Sequence, residues 1–102
     1  MTPNEYSEWR RTVDIYPKGD FTLGYYALGL AAAAALARRK LLALADLGAL
    51  HALDDELGDV LWYLTALADY YGYTLQDVIN ANVAKLNDRH ARNMARGSGD
   101  NR

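Results

Sequence analysis

Apolar residues recur at helical spacing along nearly the whole chain. Tyr6, Trp9 and Val13 step by three and four, and the segment before them has the form of a helix start. Thr2 is placed as the N-cap, Pro3 stands at the first helical position, and Glu5 follows three residues after the cap. Tyr16-Pro17-Lys18-Gly19-Asp20 predicts a loop, because Pro and Gly punctuate it. Leu23, Tyr26, Leu30, Ala33, Ala37, Leu41 and Leu44 then make one stripe, which predicts a long helix from about Thr22 to about Asp46, broken near Gly48. The next stripe is Leu53, Leu57, Val60, Leu64, Leu67 and Tyr71. It predicts a third helix from His51 or Asp54 to about Tyr71, closed by Gly72 as its C′ residue. Thr74-Leu75-Gln76-Asp77 has the form of an N-cap with an acid in the first turn. The fourth helix it opens carries Leu75, Val78, Ile79, Val83 and Leu86 and is expected to run to about Arg92. Residues 97–102 have no periodicity and read as a flexible end. The pattern therefore predicts an all-α bundle: a single helical domain over residues 1–96 and a tail over 97–102.

Composition strengthens this picture. Leu and Ala supply 33 of the 102 residues and Val and Ile only six, a bias toward helix over sheet. An 11.3 kDa chain has room for one core. With no cysteine, disulfides and thiolate metal sites are excluded. A net charge of −2 offers no broad basic surface, so direct nucleic-acid binding is not expected. The longest apolar stretch, Leu28 to Ala37, spans ten residues, too few to cross a bilayer. The first residues lack the basic segment and apolar core of a signal peptide, so the expected location is the cytoplasm, with no membrane partner. Ala31 to Ala35 is apolar on every side, as in a helix buried all round, and three long helices enclose a core less well than four. A homodimer or homotetramer that shares its long helices in one bundle is the expected remedy.

Three groups of side chains could carry chemistry. Glu56 and Asp59 lie three apart, so their carboxylates share one helical face. Two neighbouring carboxylates repel unless a cation lies between them, and Mg²⁺ takes such oxygen ligands. The plainer reading is a solvated helix start, where acids complement the helix dipole. Asn82, Lys85 and Arg89 put an amide and two cations on one face, suited to a phosphate chain; an ordinary polar face is the alternative. Trp62, Tyr63, Tyr70, Tyr71 and Tyr73 could stack on a base or simply build core. His51 and His90 have no partner at metal-ligand spacing and read as surface residues.

Taken in order along the chain, these pieces resemble the MazG-like nucleoside triphosphate pyrophosphohydrolases, particularly the small phage-type members. The resemblance rests on Glu5-Tyr6, Arg11-Thr12, Tyr25-Tyr26-Ala27-Leu28-Gly29-Leu30, and most strongly on Glu56-Leu57-Gly58-Asp59-Val60-Leu61-Trp62-Tyr63-Leu64. Leu75-Gln76-Asp77-Val78, Asn82-Val83-Ala84-Lys85-Leu86 and the segment Gly97 to Arg102 complete it. It implies an all-α fold whose four-helix core is completed by dimerisation, and Mg²⁺-dependent hydrolysis of a nucleoside triphosphate to monophosphate and pyrophosphate, with Mn²⁺ as an alternative ion. It implies Glu56 and Asp59 as the ExxD half of the metal and catalytic site. For the substrate it implies Asn82 and Lys85, beside which Trp62, Tyr63, Arg89 and Arg102 are the further candidate contacts.

The chain departs from the family at one place. The family's second helix carries an ExxE motif, and the positions where it is expected hold Ala33 and Leu36; no acid occurs between Phe21 and Ala45. Half of the implied metal cage is missing, so metal binding is expected to be weak or absent and catalysis impaired. Two readings follow. One is a pyrophosphohydrolase with a reduced site. The other is a non-catalytic helical scaffold of the same fold, natural or engineered, that oligomerises and at most binds nucleotides weakly.

Overall fold

The computed structural model describes residues 1–42 and 50–96. Among them are four helices and no strand: α1 Pro3–Val13, α2 Thr22–Leu42, α3 Leu50–Tyr70 and α4 Leu75–Arg96. The start of α1 is the predicted capping box. The Glu5 N–H donates to Thr2 Oγ1 at 3.1 Å and the Thr2 N–H donates to Glu5 Oε1 at 2.7 Å, which satisfies two otherwise orphaned groups. The loop after α1 closes on α2 through the Gly19 N–H, which donates to Thr22 Oγ1 at 2.8 Å. The predicted end of α2 near Asp46, its stripe residue Leu44, and the break at Gly48 lie outside the described residues, as do the tail 97–102 and Arg102.

Helix α3 begins at Leu50, one residue before the earliest expected start. It ends in a Schellman motif. The Tyr73 N–H donates to the Ala68 carbonyl at 2.9 Å and the Gly72 N–H to the Asp69 carbonyl at 3.0 Å, with Gly72 at φ +83°. Thr74 then caps α4, its Oγ1 accepting the Asp77 N–H at 3.1 Å while Asp77 Oδ2 accepts the Thr74 N–H at 2.8 Å. Helix α4 continues to Arg96, past the expected Arg92. Ala91, Met94, Ala95 and Arg96 all favour helix, and no Gly or Pro intervenes before Gly97.

Helices α2 and α3 form the main packed pair. Gly29 meets Tyr63 and Lys40 meets Glu56, so the two run antiparallel. Helix α1 crosses the far end of α3, where Trp9 lies edge-on to Trp62 at 6.1 Å, and it reaches the start of α4. There Ser7 Oγ accepts the N–H of Leu75 at 2.9 Å in a buried hydrogen bond. Among the described residues the buried apolar side chains are few: Tyr26, Ala33, Ala37, Ala66 and Leu75. The α2 stripe is confirmed at Tyr26, Ala33 and Ala37, while Leu41 is exposed. On α3, Val60, Leu64 and Leu67 are half-buried and Leu57 faces solvent, as does Tyr71 in the turn just past the helix; the Leu53 side chain lies outside the described ones. On α4 the stripe is buried only at Leu75; Ile79, Val83 and Leu86 are exposed. The Cα radius of gyration is 17.0 Å, against about 13 Å for a compact domain of this length. Among the described residues, no helix is long and apolar enough to cross a membrane.

Candidate functional site

The acid pair is built by the periodicity of α3. Glu56, Asp59 and Tyr63 fall on the face turned toward α2. Across from them, Lys40 of α2 donates from Nζ to Glu56 Oε1 at 2.7 Å, and the Glu56 side chain is only 12% exposed. Asp59 is exposed. Tyr63 can lie flat against α2 because Gly29 has no side chain; a methyl there would overlap the tyrosine ring. The Tyr63 hydroxyl is pushed up to about 12, first by its hydrogen bond with Tyr25, then by burial, and further by the negative charges of Asp59 and Asp14.

Asn82 and Lys85 belong to a different wall. They line an open cleft of about 1150 Å³ between α3 and α4, whose apolar side includes Leu61, Leu64, Val78 and Ile79. Tyr73 stands at its end, exposed like Tyr70 and Tyr71, which meet each other edge-on at 5.2 Å. Arg89 is half-buried one turn beyond Lys85 and does not line the cleft. His90 is exposed, as expected; the His51 side chain lies outside the described ones. The single chain thus brings Glu56, Asp59 and Tyr63 together on one face of α3 and Asn82 and Lys85 together on α4. It does not bring the two sets into one pocket.

Trp62 occupies a third face of α3, turned to α1. It edges a recess of about 320 Å³ with Val13, Tyr16 and Tyr25, and the latter two rings stack at 3.8 Å. Its ring also lies 5.1 Å from the Arg10 guanidinium. Arg10 centres a buried ionic cluster that the sequence reading did not single out. It is 1% exposed, donates from Nη1 to Asp14 Oδ2 at 2.8 Å, and places Nη2 3.7 Å from Asp69 Oδ2. Asp14 also accepts from Lys18 Nζ at 3.1 Å, from the Tyr26 hydroxyl, and from the Tyr16 N–H at 3.1 Å. Burial works against the charge on Asp14, yet the bonds from Tyr26, Arg10, Lys18 and the Tyr16 backbone hold its carboxyl well below the usual range. The i, i+4 step from Arg10 to Asp14 was a readable signal; Lys18, in the loop, and Tyr26, twelve residues from Asp14, were not.

The Mg²⁺ expected at Glu56 and Asp59 can be tested against the donors present. A dication of this kind needs several oxygen ligands in near-octahedral order. Here one of the two carboxylates is already paired with an ammonium, and where acids are expected the second helix carries Ala33, buried, and Leu36, 39% exposed, neither of which offers a ligand. Among the described residues there is no group of three or more His, Cys, Asp or Glu placed to hold an ion. The donor set does not fit a divalent cation.

Residues 32–94, more than half of the chain, match the family profile of the MazG nucleotide pyrophosphohydrolase domain. The chain is also similar to the "Gene 37 protein" of Mycobacterium phage L5, 46% identical over 50 residues. That match covers 49% of this chain and 44% of the phage protein, so it spans less than half of the relative's length. No solved structure matches the chain.

Proposed function

The chain belongs to the MazG nucleotide pyrophosphohydrolase domain family, and from that premise we propose that it binds a nucleoside triphosphate while turning it over slowly or not at all. The observation that carries this reading is the contact across α2 and α3. Where an acidic second helix would face the acid pair, this chain sets Ala33, Leu36 and a lysine bonded to Glu56. Hydrolysis of a triphosphate needs an activated water aligned with the scissile bond and charge stabilisation on the leaving pyrophosphate. Ala33 and Leu36 can neither accept a proton from water nor balance charge. Recognition asks for less: donors and positive charge suffice for phosphate oxygens, and Asn82 and Lys85 offer both on the wall of the α4 cleft. The apolar side of that cleft suits the base and sugar, with Arg89 one turn along.

We propose further that two or more copies assemble through α4, since Ile79, Val83 and Leu86 are exposed in a single chain. Assembly would also offer a route for uniting the acid pair of one copy with the cations of another.

A pyrophosphate-release assay with a panel of NTPs and dNTPs, in Mg²⁺ or Mn²⁺, tests the reading beside an Ala33→Glu/Leu36→Glu variant. Expected are measurable nucleotide binding and very slow turnover by the unaltered chain, and a rate higher by ~10³-fold in the variant. Turnover at ~1 s⁻¹ or faster by the unaltered chain would refute the account. The second reading, a scaffold without nucleotide chemistry, is favoured by the alanine run from Ala31 to Ala35, which raises helix propensity at the expense of ligands. It predicts no binding by calorimetry and no gain in the variant.

A further inference from the structure

We propose that the Lys40 ammonium is a built-in counter-ion that takes the place of a dication at Glu56, so that this carboxylate is ion-paired from within the chain. The inference rests on the family reading only for the expectation that an ion belongs at Glu56; the geometry stands without it.

Lys40 Nζ lies 2.7 Å from Glu56 Oε1, and the carboxylate is 12% exposed, which limits its access to solvent ions. A Mg²⁺ or Mn²⁺ ion on the same oxygen, at about 2.1 Å, would stand within about 5 Å of the ammonium. Like charges at that separation, partly desolvated between two helices, repel strongly. On the second oxygen, the ion would meet a carboxylate already ion-paired to Lys40. The substitution is also chemically complete within the chain. Glu56 needs a cation because it is nearly buried, α2 contributes no acid from Thr22 to Leu42, and Lys40 lies on the turn of α2 that comes level with Glu56. The absence of acids on α2 and the ion pair from Lys40 act in the same direction: both lower the affinity of this face for divalent ions.

The test uses no nucleotide. Free Mn²⁺ is followed by electron paramagnetic resonance while it is titrated with the full-length protein and its variants. The unaltered chain, Lys40→Arg and the control Arg38→Gln, which removes the same charge from an exposed position on the same helix, are expected to show no Glu56-dependent binding up to ~1 mM Mn²⁺. Lys40→Gln is expected to bind at least ~10-fold more tightly, because the competing charge is gone. The gain should vanish in Lys40→Gln/Glu56→Gln. A urea-unfolding double-mutant cycle on Lys40 and Glu56 gives a second readout and should show favourable coupling between them. The proposal is overturned if the unaltered chain binds Mn²⁺ through Glu56 as tightly as Lys40→Gln does, if Lys40→Gln binds no better than Arg38→Gln, or if the cycle shows no coupling. Each of these outcomes is independent of whether a nucleotide binds.

Discussion

Asp14 is the residue on which most polar contacts converge, and its role is electrostatic. Its side chain is 5% exposed and it balances the charge of an Arg10 that is also buried. Removing one partner of such a pair leaves an uncompensated charge, so Asp14→Ala is expected to lose about 3 kcal/mol of stability in chemical unfolding. The pH dependence has a definite sign. Because the folded-state carboxyl is held below its unfolded value, its contribution is fully present above the ordinary aspartate range and is lost progressively as pH falls beneath about 4. The melting temperature of the unaltered chain should fall over that range; that of Asp14→Asn should be lower at neutral pH and flatter below it. A steep acid transition that persists unchanged in Asp14→Asn would assign the effect elsewhere. Residues of this kind were only partly legible. The sequence shows Arg10 and Asp14 one helical turn apart, but Lys18 reaches the cluster from the loop, and Tyr26, Asp69 and Trp62 from other helices. Lys40 and Glu56 are sixteen residues apart, joined only by the antiparallel course of α2 and α3.

At the scale of elements, the chain's punctuation was legible because it is chemical and local. Thr2 with Glu5, and Thr74 with Asp77, cap the helices they precede, and Gly72 ends α3 in the left-handed region that a Cβ disfavours. Gly72→Ala is expected to destabilise the chain by about 1 kcal/mol. No heavy atom crowds the position, so the penalty is conformational rather than steric. Thermal unfolding with no measurable change would indicate that the Schellman turn relaxes freely. Helical spacing also marked the α2 face correctly at Tyr26, Ala33 and Ala37. It also marked α4, but periodicity states that a stripe exists and not whether the same chain covers it: Val83 and Leu86 recur at the right interval and stay exposed. The candidate site suffered likewise. Spacing paired Glu56 with Asp59 and Asn82 with Lys85, but which face of α3 meets which helix is a tertiary property.

The whole molecule is wider than one domain of this length requires. Its Cα extents are 51 × 40 × 28 Å, and α4 leaves an open cleft against α3 instead of closing on it. A chain that exposes Ile79, Val83 and Leu86 along one helix gains by covering them with a like surface; each is already about half covered, so complete burial supplies roughly 1 kcal/mol each. Sedimentation at micromolar concentration is expected to give a dimer or tetramer, and Val83→Glu/Leu86→Glu to shift it toward a single chain of 11.3 kDa. A stable monomer of the unaltered protein would remove the basis for a shared core.

The hydrogen bond from the Leu75 N–H to Ser7 Oγ spans 68 residues of chain. The Lys40–Glu56 contact spans sixteen, about two doublings fewer, so closing the longer loop costs roughly 1 kcal/mol more in chain entropy. In kinetic terms, the α2–α3 hairpin is the piece that assembles from near neighbours, and the docking of α1 onto the first turn of α4 is a late clasp. The Leu75 amide proton records that clasp. It is not bonded within its own helix, so it exchanges with solvent whenever α1 lifts away, and its protection factor measures how often the chain opens at its first helix while the hairpin stays folded.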